Sequence, residues 1–492
     1  MLGCTGCSKL KSKLPYAIVS VRWKSFRVKQ KWAFNAKQKT TAQLALEHFD
    51  FFYKPLYRGW WPSVRLALLS DPKYCALVNN YCGEARENEE RLTEAGAMDL
   101  LAHVRTEKGK YETRMGHDIT AAKNSSQVTD AQDGDQDFIT PEEEEEEENA
   151  EGQQEDRWDQ SGQSAWESEK AARTDSALFD FVPTSDETLS DVARVKLGHW
   201  KQKGESRMQA AMLSPDPVRI KVLPDDDVSY PQHLKLMVYP RGDITLFPQA
   251  QVGRSGAVGF YLLDGASVFP VLALGIEAGD SVLDLCAAPG GKSLLMLQTR
   301  LPATLTCNDV KLARVSRMRR MLTSYIPEAE EELRSRVLLK RKDATSPDWE
   351  EMDRYDKVLV DAPCTTDRHA LQEEEDSIFR RSRSQERLEL PQLQTNILVT
   401  GMRSVKPGGT VVYSTCTLSP MQNASVVETA VGLVREKYGL DFVVKDLATL
   451  TNDFKRAQVF RFYPWVNYGA LILPFLPNNF GPMYVCKLHR VR

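Results

Sequence analysis

The hydrophobic positions of the chain follow two different patterns, which divide the sequence. Between residues 41 and 103 apolar residues recur every three or four positions, which predicts helices over 42–52 and 63–80. From about residue 206, short apolar runs alternate with helical stretches. The predicted strands are 281–285, 305–308, 337–340, 357–360 and 409–414, and the predicted helices are 293–299, 311–325 and 388–405. This alternation is typical of an α/β fold with a doubly wound, mostly parallel sheet, which binds ligands at the carboxyl ends of its strands.

A long stretch without hydrophobic periodicity, residues 106–205, separates the two regions. It contains seven consecutive glutamates at 142–148 and is rich in Gln, Ser, Asp and Gly. Such a segment buries too little apolar surface to offset the entropy of ordering it, so we predict an acidic, disordered insert. A run of like charge is usually a solvated tail. The alternative is an RNA mimic that shields a basic body from non-specific binding.

The net charge of the whole chain conceals a difference between the acidic insert and the rest of the chain. The 492 residues carry 64 Lys and Arg and 68 Asp and Glu, a formal charge of −4. Residues 130–191 hold 22 acidic and three basic residues, so the other 430 residues, with 61 basic and 46 acidic ones, carry +15. A body this basic is suited to nucleic acid, because phosphate contacts by Lys and Arg supply the sequence-independent part of the affinity. The basic stretches 314–320 and 380–387 are candidates for such contacts, or else ordinary exposed helix faces.

The start of the chain has the composition of a targeting segment. Residues 1–40 contain ten basic residues, and the first acidic residue is Glu47. This composition is typical of a mitochondrial transit peptide, and the alternative is a basic arm that stays attached and contacts RNA. We predict a targeting segment at 1–35 and a location in the mitochondrial matrix. No apolar run reaches the roughly 18 residues of a membrane-spanning helix, so we expect no membrane association.

Residues 36–105 are predicted to form a helical N-terminal extension. Two adjacent tryptophans, Trp60 and Trp61, lie between its two predicted helices. Aromatic side chains of this size are usually buried in a core, whereas an exposed pair would form part of an interface.

The nonapeptide Asp-Leu-Cys-Ala-Ala-Pro-Gly-Gly-Lys, residues 284–292, follows a predicted strand and precedes a predicted helix. Glycines at such a junction let a ligand approach the backbone, whose amide groups are free at the helix N-terminus. The spacing is neither that of a P-loop nor that of GxGxxG. Methyltransferases that bind S-adenosyl-L-methionine use this turn for the methionine part of the cofactor. We therefore expect this cofactor and no metal.

Acidic residues follow the next two predicted strands. Asp309 is suited to bind a ribose diol, and Asp343 is suited to bind an adenine amino group. An isolated aspartate after a strand is more often a helix cap than a ligand. Because two such residues follow the glycine-rich turn in succession, we expect them to form a nucleoside-binding edge.

The next two predicted strands both end near a cysteine. The fourth is followed by Asp361-Ala362-Pro363-Cys364 and the fifth by Ser414-Thr415-Cys416-Thr417. In a doubly wound sheet these ends can lie side by side. C5 of cytosine becomes nucleophilic once a thiolate adds to C6, so two thiols beside a methyl donor indicate pyrimidine methylation. Either cysteine alone would be interpreted as a small, buried hydrophobic residue.

These three motifs resemble those of the Sun (NSUN, RsmB-like) family of RNA cytosine-5 methyltransferases, over roughly residues 206–492. The resemblance implies a Rossmann-like methyltransferase domain there. Residues 73–80, 239–244, 361–369 and 479–484 resemble more closely the mitochondrial member of the family. That member methylates small-subunit (12S) ribosomal RNA and pairs with an mTERF-fold protein. The resemblance thus implies an RNA substrate, an mTERF-fold partner in a heterodimer and a role in mitoribosome assembly.

The resemblance also implies roles for individual residues. Cys416 would be the nucleophile, Cys364 would assist release of the product, and Asp361 would hydrogen-bond the target base. The cofactor-binding residues of the family correspond to Gly290, Gly291, Lys292, Asp309, Arg314, Asp343 and Asp361. The sequence departs from the family pattern in two places, with Thr365-Thr366 in place of Ser-Gly and Gln422-Asn423 in place of Glu-Asn.

Three alternatives to ribosomal RNA methylation stay open at this point. The motifs do not separate a ribosomal RNA substrate from a transfer RNA substrate. A ribosome-assembly factor that binds RNA and cofactor without needing catalysis would also fit the expected reliance on a partner, although the intact Cys364 and Cys416 argue against it. The Thr-Cys element disfavours a DNA methyltransferase.

Overall fold

The computed structural model describes residues 39–126, 219–225, 228–374 and 377–491. The predicted targeting segment at 1–35 and most of the predicted acidic insert lie outside the described residues. The compact unit that carries the candidate site is built from residues up to Lys110 and from Ile220 onward. Within the described ranges, no helix has the length and apolarity needed to cross a membrane.

Helices and strands alternate along most of the described chain. The helices are α1 Thr41–Tyr57, α2 Trp61–Leu69, α3 Ala85–Glu94, α4 Leu100–Ser126, α5 Val268–Leu274, α6 Gly291–Gln298, α7 Leu312–Tyr325, α8 Glu331–Arg336, α9 Asp367–Gln372, α10 Ser384–Ser404, α11 Ala424–Tyr438 and α12 Ala448–Arg456. The strands are β1 Tyr74–Val78, β2 Met98–Asp99, β3 Val222–Pro224, β4 Leu236–Val238, β5 Phe260–Asp264, β6 Ser281–Asp284, β7 Thr304–Asn308, β8 Val337–Lys340, β9 Tyr355–Asp361, β10 Val405–Thr415, β11 Phe442–Asp446, β12 Arg461–Phe462, β13 Ala470–Leu473 and β14 Met483–Arg490.

The larger sheet confirms the predicted fold class, a doubly wound and mostly parallel α/β sheet. Five parallel strands stand in the order β8-β7-β6-β9-β10, and β14, β13 and β12 continue the sheet with antiparallel pairing. The chain winds from β6 toward β8 and then returns to place β9 on the other side of β6. Ligands bind where the winding reverses, so the carboxyl ends of β6 and β9 mark the expected site.

Both faces of the central parallel strands β6 and β7 are buried, and successive residues of β6 enter different cores. Val282 belongs to the core that includes Leu294 of α6 and Met318 of α7. Its neighbour Leu283 belongs to the core that includes Leu398 of α10. Burial on both faces explains why these strands read in the sequence as continuous apolar runs.

The helix predicted over 63–80 is wrong in its second half. Helix α2 ends at Leu69, and Tyr74–Val78 form strand β1, which pairs antiparallel with both β4 and β5. Pro72 removes a backbone donor that a continuing helix needs, and pairing on two sides outweighs the helical spacing of the apolar residues. The small sheet has the order β2-β4-β1-β5. Residues predicted as a separate helical extension, 36–105, therefore share a sheet with residues from the region after 206.

Helix α4 crosses the predicted start of the insert at residue 106. The helix runs from Leu100 to Ser126, so the described residues 106–126 of the insert are helical. Leu100, Leu101 and Val104 are fully buried and anchor its first turns in the core. Glu107, Lys108 and Lys110 are good helix formers, so the helix continues through a polar stretch.

Candidate active site

The nonapeptide 284–292 forms the turn between β6 and α6. Gly290 has a φ of +109°, a conformation that favours glycine, and a Cβ at this position would lie 2.2 Å from Cε of Met321. A Cβ on Gly291 would come within 3.1 Å of the Tyr261 ring. The turn therefore presents bare backbone at the carboxyl edge of β6, as the sequence motif predicts.

Asp284 ends β6 and is fully buried beside this turn. Its Oδ2 accepts a 2.6 Å hydrogen bond from Oγ of Ser293, whereas its Oδ1 has no hydrogen-bond partner among the described residues. Burial raises the pKa of Asp284 to about 7. Buried polar atoms are nearly always satisfied, so an unsatisfied carboxyl oxygen here points to a site that a ligand completes.

Asp309 and Arg314 lie next to the glycine-rich turn. Asp309 follows β7, is buried, and has its Oδ2 atom 3.4 Å from Nε of Arg314. Arg314 also donates to the carbonyl oxygen of Ala288 at 2.6 Å, which ties the end of β7 to the turn. Asp343, after β8, is exposed, and its carboxylate accepts hydrogen bonds from the backbone N–H and the hydroxyl of Thr345. Its contacts are thus those of a local turn.

Asp361, at the end of β9, connects the turn to the neighbouring strand. One of its carboxylate oxygens accepts a 2.8 Å hydrogen bond from Nζ of Lys292, and the other accepts a 2.7 Å bond from Oγ of Ser414. Burial alone would lower the pKa of Lys292, but the Asp361 carboxylate outweighs this effect and raises it. Lys292 is therefore held as an ammonium ion in the site.

The two predicted cysteines meet at the ends of β9 and β10. These strands are parallel neighbours with Asp361 paired to Ser414, and the Sγ atoms of Cys364 and Cys416 are 3.3 Å apart. Cys364 is buried, whereas Cys416 keeps partial exposure. The hydrogen bond with Cys364, burial and the Asp361 carboxylate raise the pKa of Cys416 well above its usual value, and Lys292 opposes this rise.

Asp367 fixes both cysteine loops, and it was absent from the residues singled out in the sequence. Its fully buried carboxylate accepts hydrogen bonds from the hydroxyl of Tyr53 on α1 at 2.9 Å and from the hydroxyl of Thr365 at 2.6 Å. It also accepts from the hydroxyl of Thr417 at 3.0 Å and from the backbone N–H of Leu418 at 2.8 Å. The one available signal was an acidic residue three positions after Cys364.

The departures from the family pattern support the same loops. Oε1 of Gln422 accepts the backbone N–H of Thr365 at 3.1 Å, and its Nε2 donates to the Thr365 hydroxyl at 3.3 Å. The side chain of Asn423 accepts from Thr415 and donates to the carbonyl of Thr417. Gln422 thus both accepts from and donates to Thr365, whereas an ionised glutamate at this position could only accept.

The residues present fit S-adenosyl-L-methionine. The bare backbone at Gly290, the unsatisfied oxygen of Asp284 and the buried Asp309 surround the reversal point of the sheet, where such folds bind nucleotides. The fold and this site define an S-adenosylmethionine-dependent methyltransferase.

Comparison with known proteins shows to which family of methyltransferases the chain belongs. The family model for the 16S rRNA methyltransferase RsmB/F matches residues 271–487. The chain is 39% identical to the 5-cytosine rRNA methyltransferase nsun-4 of Caenorhabditis elegans over 98% of this chain and 99% of that protein. It is 35% identical to the 5-cytosine rRNA methyltransferase NSUN4 of Mus musculus over 95% of this chain and 93% of that protein. The chain belongs to the Sun (RsmB/F, NSUN) family and is an S-adenosylmethionine-dependent RNA cytosine-5 methyltransferase.

A relative with a different named substrate matches a smaller part of the chain. The mitochondrial tRNA (cytosine(34)-C(5))-methyltransferase of Danio rerio is 40% identical, but over only 47% of this chain and 61% of that protein. The similarity to nsun-4 and NSUN4 thus extends over about twice as much of the chain as the similarity to this tRNA methyltransferase.

Proposed function

We propose that this protein methylates C5 of a cytosine in mitochondrial small-subunit (12S) ribosomal RNA through a covalent adduct with Cys416, and that it supports mitoribosome assembly. The observation that carries the proposal is the pair of thiols 3.3 Å apart at the ends of neighbouring parallel strands. A carboxylate and an ammonium group, Asp361 and Lys292, lie beside them. This arrangement suits pyrimidine methylation better than amine methylation, which needs no thiol.

In the proposed reaction Cys416 attacks first. Its thiolate forms a bond to C6, and the displaced electron pair makes C5 nucleophilic. S-adenosyl-L-methionine, when bound, supplies the methyl group. The sulfur of Cys364 then accepts the proton of C5, the C6–sulfur bond breaks, and its electron pair returns to Cys416 as a thiolate. Cys416 is more exposed than Cys364, which favours Cys416 as the attacking thiol because a substrate base must be able to reach it.

Cys364 and Asp361 act beside the nucleophile. Cys364, in contact with Cys416, assists the release step. Asp361 accepts a hydrogen bond from the amino edge of cytosine and thereby orients the base for attack at C6, while Lys292 and Ser414 hold its two oxygens. The substrate base must leave its stack to reach Cys416, which favours a loop or single-stranded target.

Ribosomal RNA is the proposed substrate because of how far the relatives match. The two 5-cytosine rRNA methyltransferases compared above, nsun-4 and NSUN4, align with 98% and 95% of the chain, whereas the mitochondrial tRNA methyltransferase aligns with 47%.

We extend the proposal to the place of action and the partner. The basic and acid-free first 40 residues and the mitochondrial tRNA methyltransferase among the relatives support the mitochondrial matrix. We infer a heterodimer with an mTERF-fold protein, because residues 73–80, 239–244, 361–369 and 479–484 resemble the mitochondrial family member that pairs with such a protein.

Bisulfite sequencing of mitochondrial RNA tests the proposal. Cells that carry only Cys416→Ala should lose one cytosine mark in the small-subunit rRNA and keep the tRNA marks. Cys486→Ala, which removes a buried thiol from β14, is the matched control and should keep the mark. Persistence of the mark would exclude Cys416 as the nucleophile. Loss of a tRNA mark instead would assign the tRNA substrate, and full ribosome assembly with Cys416→Ala would separate assembly from catalysis.

A further inference from the structure

An aromatic groove lies where the junction of α1 and α2 meets the segment after β12. It encloses about 850 Å³. Four aromatic residues and two arginines form most of its lining, namely Tyr57, Trp60, Tyr463, Trp465, Arg58 and Arg461. The two adjacent tryptophans lie in different surroundings. Trp61 is buried in the core, whereas Trp60 lines the groove.

Three aromatic rings of the groove contact one another in the order Tyr57, Tyr463, Trp465, and the last of them is exposed. The Tyr463 ring centroid is 4.8 Å from that of Tyr57 and 5.4 Å from that of Trp465, with steep interplanar angles in both pairs. Trp465 has 70% of its surface exposed. Exposure of so much of a large apolar side chain to water is unusual for an indole ring that binds no ligand. An exposed, supported ring is a ready surface for stacking a base.

The charge of the groove is entirely positive. Arg461 places its guanidinium 4.9 Å from the Trp60 ring centroid, Arg58 is exposed, and none of the described residues that line the groove is acidic. Arg58 also has a φ of +42°, a strained conformation for a residue other than glycine. Strain of this kind tends to be kept at functional positions. Exposed rings beside unopposed arginines match single-stranded nucleic acid, because bases stack on the rings and phosphates pair with the arginines.

A single side chain connects this groove to the catalytic loop. Tyr57 belongs to the lining of the groove, and its buried hydroxyl donates to the backbone carbonyl of Leu418, two residues after Cys416. The groove is therefore joined by this one side chain to the loop that carries the nucleophile.

We propose that this groove binds a single-stranded RNA segment that flanks the target cytosine, with a base stacked on Trp465 and a phosphate paired with Arg461. Single-stranded RNA is favoured over a duplex because the bases of a duplex are stacked on one another and cannot cover an exposed indole. The proposal rests on the RNA substrate of the proposed function and adds to it a contact outside the thiol site.

Binding of a short fluorescein-labelled single-stranded RNA, followed by anisotropy, tests the groove. We expect Trp465→Ala to weaken the Kd about tenfold, as loss of one stacked base would, and Trp465→Phe to retain most of the affinity. Arg461→Ala should reduce the slope of log affinity against log salt by about one, as loss of one phosphate contact would. In methylation assays Trp465→Ala should raise the KM for RNA and leave kcat unchanged, because the thiol loops are intact.

The matched controls remove an arginine and an aromatic ring from another surface. Arg403 lies over the Tyr438 ring at 4.1 Å, and neither residue lines the groove. Arg403→Ala and Tyr438→Ala should bind RNA as the unchanged protein does. Equal affinity of all four alanine variants would overturn the groove proposal, even with normal methylation by the unchanged protein. Failure of the proposed function would instead appear as RNA binding without any cytosine mark.

A protein ligand is the competing outcome. If Trp465→Ala and Arg461→Ala keep the RNA affinity but lose a complex with a purified mTERF-fold protein, the groove is a protein interface and the RNA proposal is overturned. Comparing single-stranded with duplex RNA gives a further check, since equal loss of affinity for both would contradict base stacking.

Discussion

The hydroxyl of Tyr53 donates a 2.9 Å hydrogen bond to the carboxylate of Asp367, which joins helix α1 to the loop that carries Cys364. The same carboxylate holds the loop that carries Cys416, through the backbone N–H of Leu418. Burial raises the pKa of Asp367, whereas its hydrogen bonds lower it. An N-terminal helix far from the thiols in sequence therefore helps to fix the distance between them.

We expect Tyr53→Phe to destabilise the protein and to slow methylation. Removing one donor leaves a fully buried carboxylate less well satisfied, which costs about 1–3 kcal/mol. The loss should appear as a lower midpoint in urea unfolding, together with a lower kcat at saturating cofactor.

Tyr325→Phe provides the control for this variant, because it removes a hydroxyl that donates to the uncharged backbone carbonyl of Phe260. It should cost less stability and leave kcat unchanged. Equal losses of stability in the two variants, with kcat unchanged in both, would contradict a positioning role for Tyr53 and Asp367.

The buried carboxyl of Asp284 should make stability depend on pH. Its pKa is raised by burial from an ordinary 3.8 to about 7, so the folded protein holds a proton there that the unfolded chain releases. The stabilising effect of this proton is complete below about pH 4 and is lost as the pH rises to about 7. A rise of this size corresponds to about 4 kcal/mol.

Asp284→Asn checks this expectation, because asparagine keeps the shape and can still accept from Ser293 but does not titrate. The quantity to compare is the difference in free energy of unfolding between the unchanged protein and the variant. This difference should fall between pH 4 and 7 and stay level above pH 7. A difference that stays constant across this range would show that Asp284 is ionised in the folded protein throughout.

How much of the structure the sequence predicts depends on whether the signal is local. The parallel strands and the turn at Gly290 were predicted from sequence, since buried strands read as apolar runs and the turn has a distinctive glycine spacing. Strand β1 was missed because its apolar residues also satisfy a helical spacing. Only pairing with β4 and β5, which are distant in sequence, makes it a strand.

The candidate site shows the same limit. Cys364, Cys416 and Asp361 are predicted because each lies at the end of a recognisable strand, and the structure brings these ends together. Tyr53 and Asp367 are not predicted, because a buried tyrosine on an amphipathic helix looks like any core residue until its acceptor is known. Asp343 was expected from its place after a strand, and its carboxylate is engaged with Thr345. Its assignment to the cofactor therefore stays a prediction.

Gly290→Ala should remove cofactor binding as well as stability. The substitution meets two penalties, the positive φ of +109° and the approach of a Cβ to Met321, and we expect it to cost about 1–3 kcal/mol. Gly279→Ala is the control, because Gly279 has a φ of +92° but open space around its Cβ position. Both variants should lower the unfolding temperature, and only Gly290→Ala should abolish calorimetric binding of S-adenosylhomocysteine. Normal binding by Gly290→Ala would exclude the turn from the cofactor site.

The two thiols should differ in what their removal does to the RNA. Cys416→Ala removes the attacking sulfur, so it should give neither product nor adduct. Cys364→Ala leaves the attack intact and slows release, by about 10²- to 10⁴-fold if the thiol acts as a positioned acid–base group. The trapped species should migrate as a protein–RNA band on a denaturing gel. The double variant should show no band, and Cys486→Ala should turn over normally, since its thiol is buried on β14. A trapped band with Cys416→Ala but not with Cys364→Ala would reverse the two roles, which the 3.3 Å contact between the thiols permits.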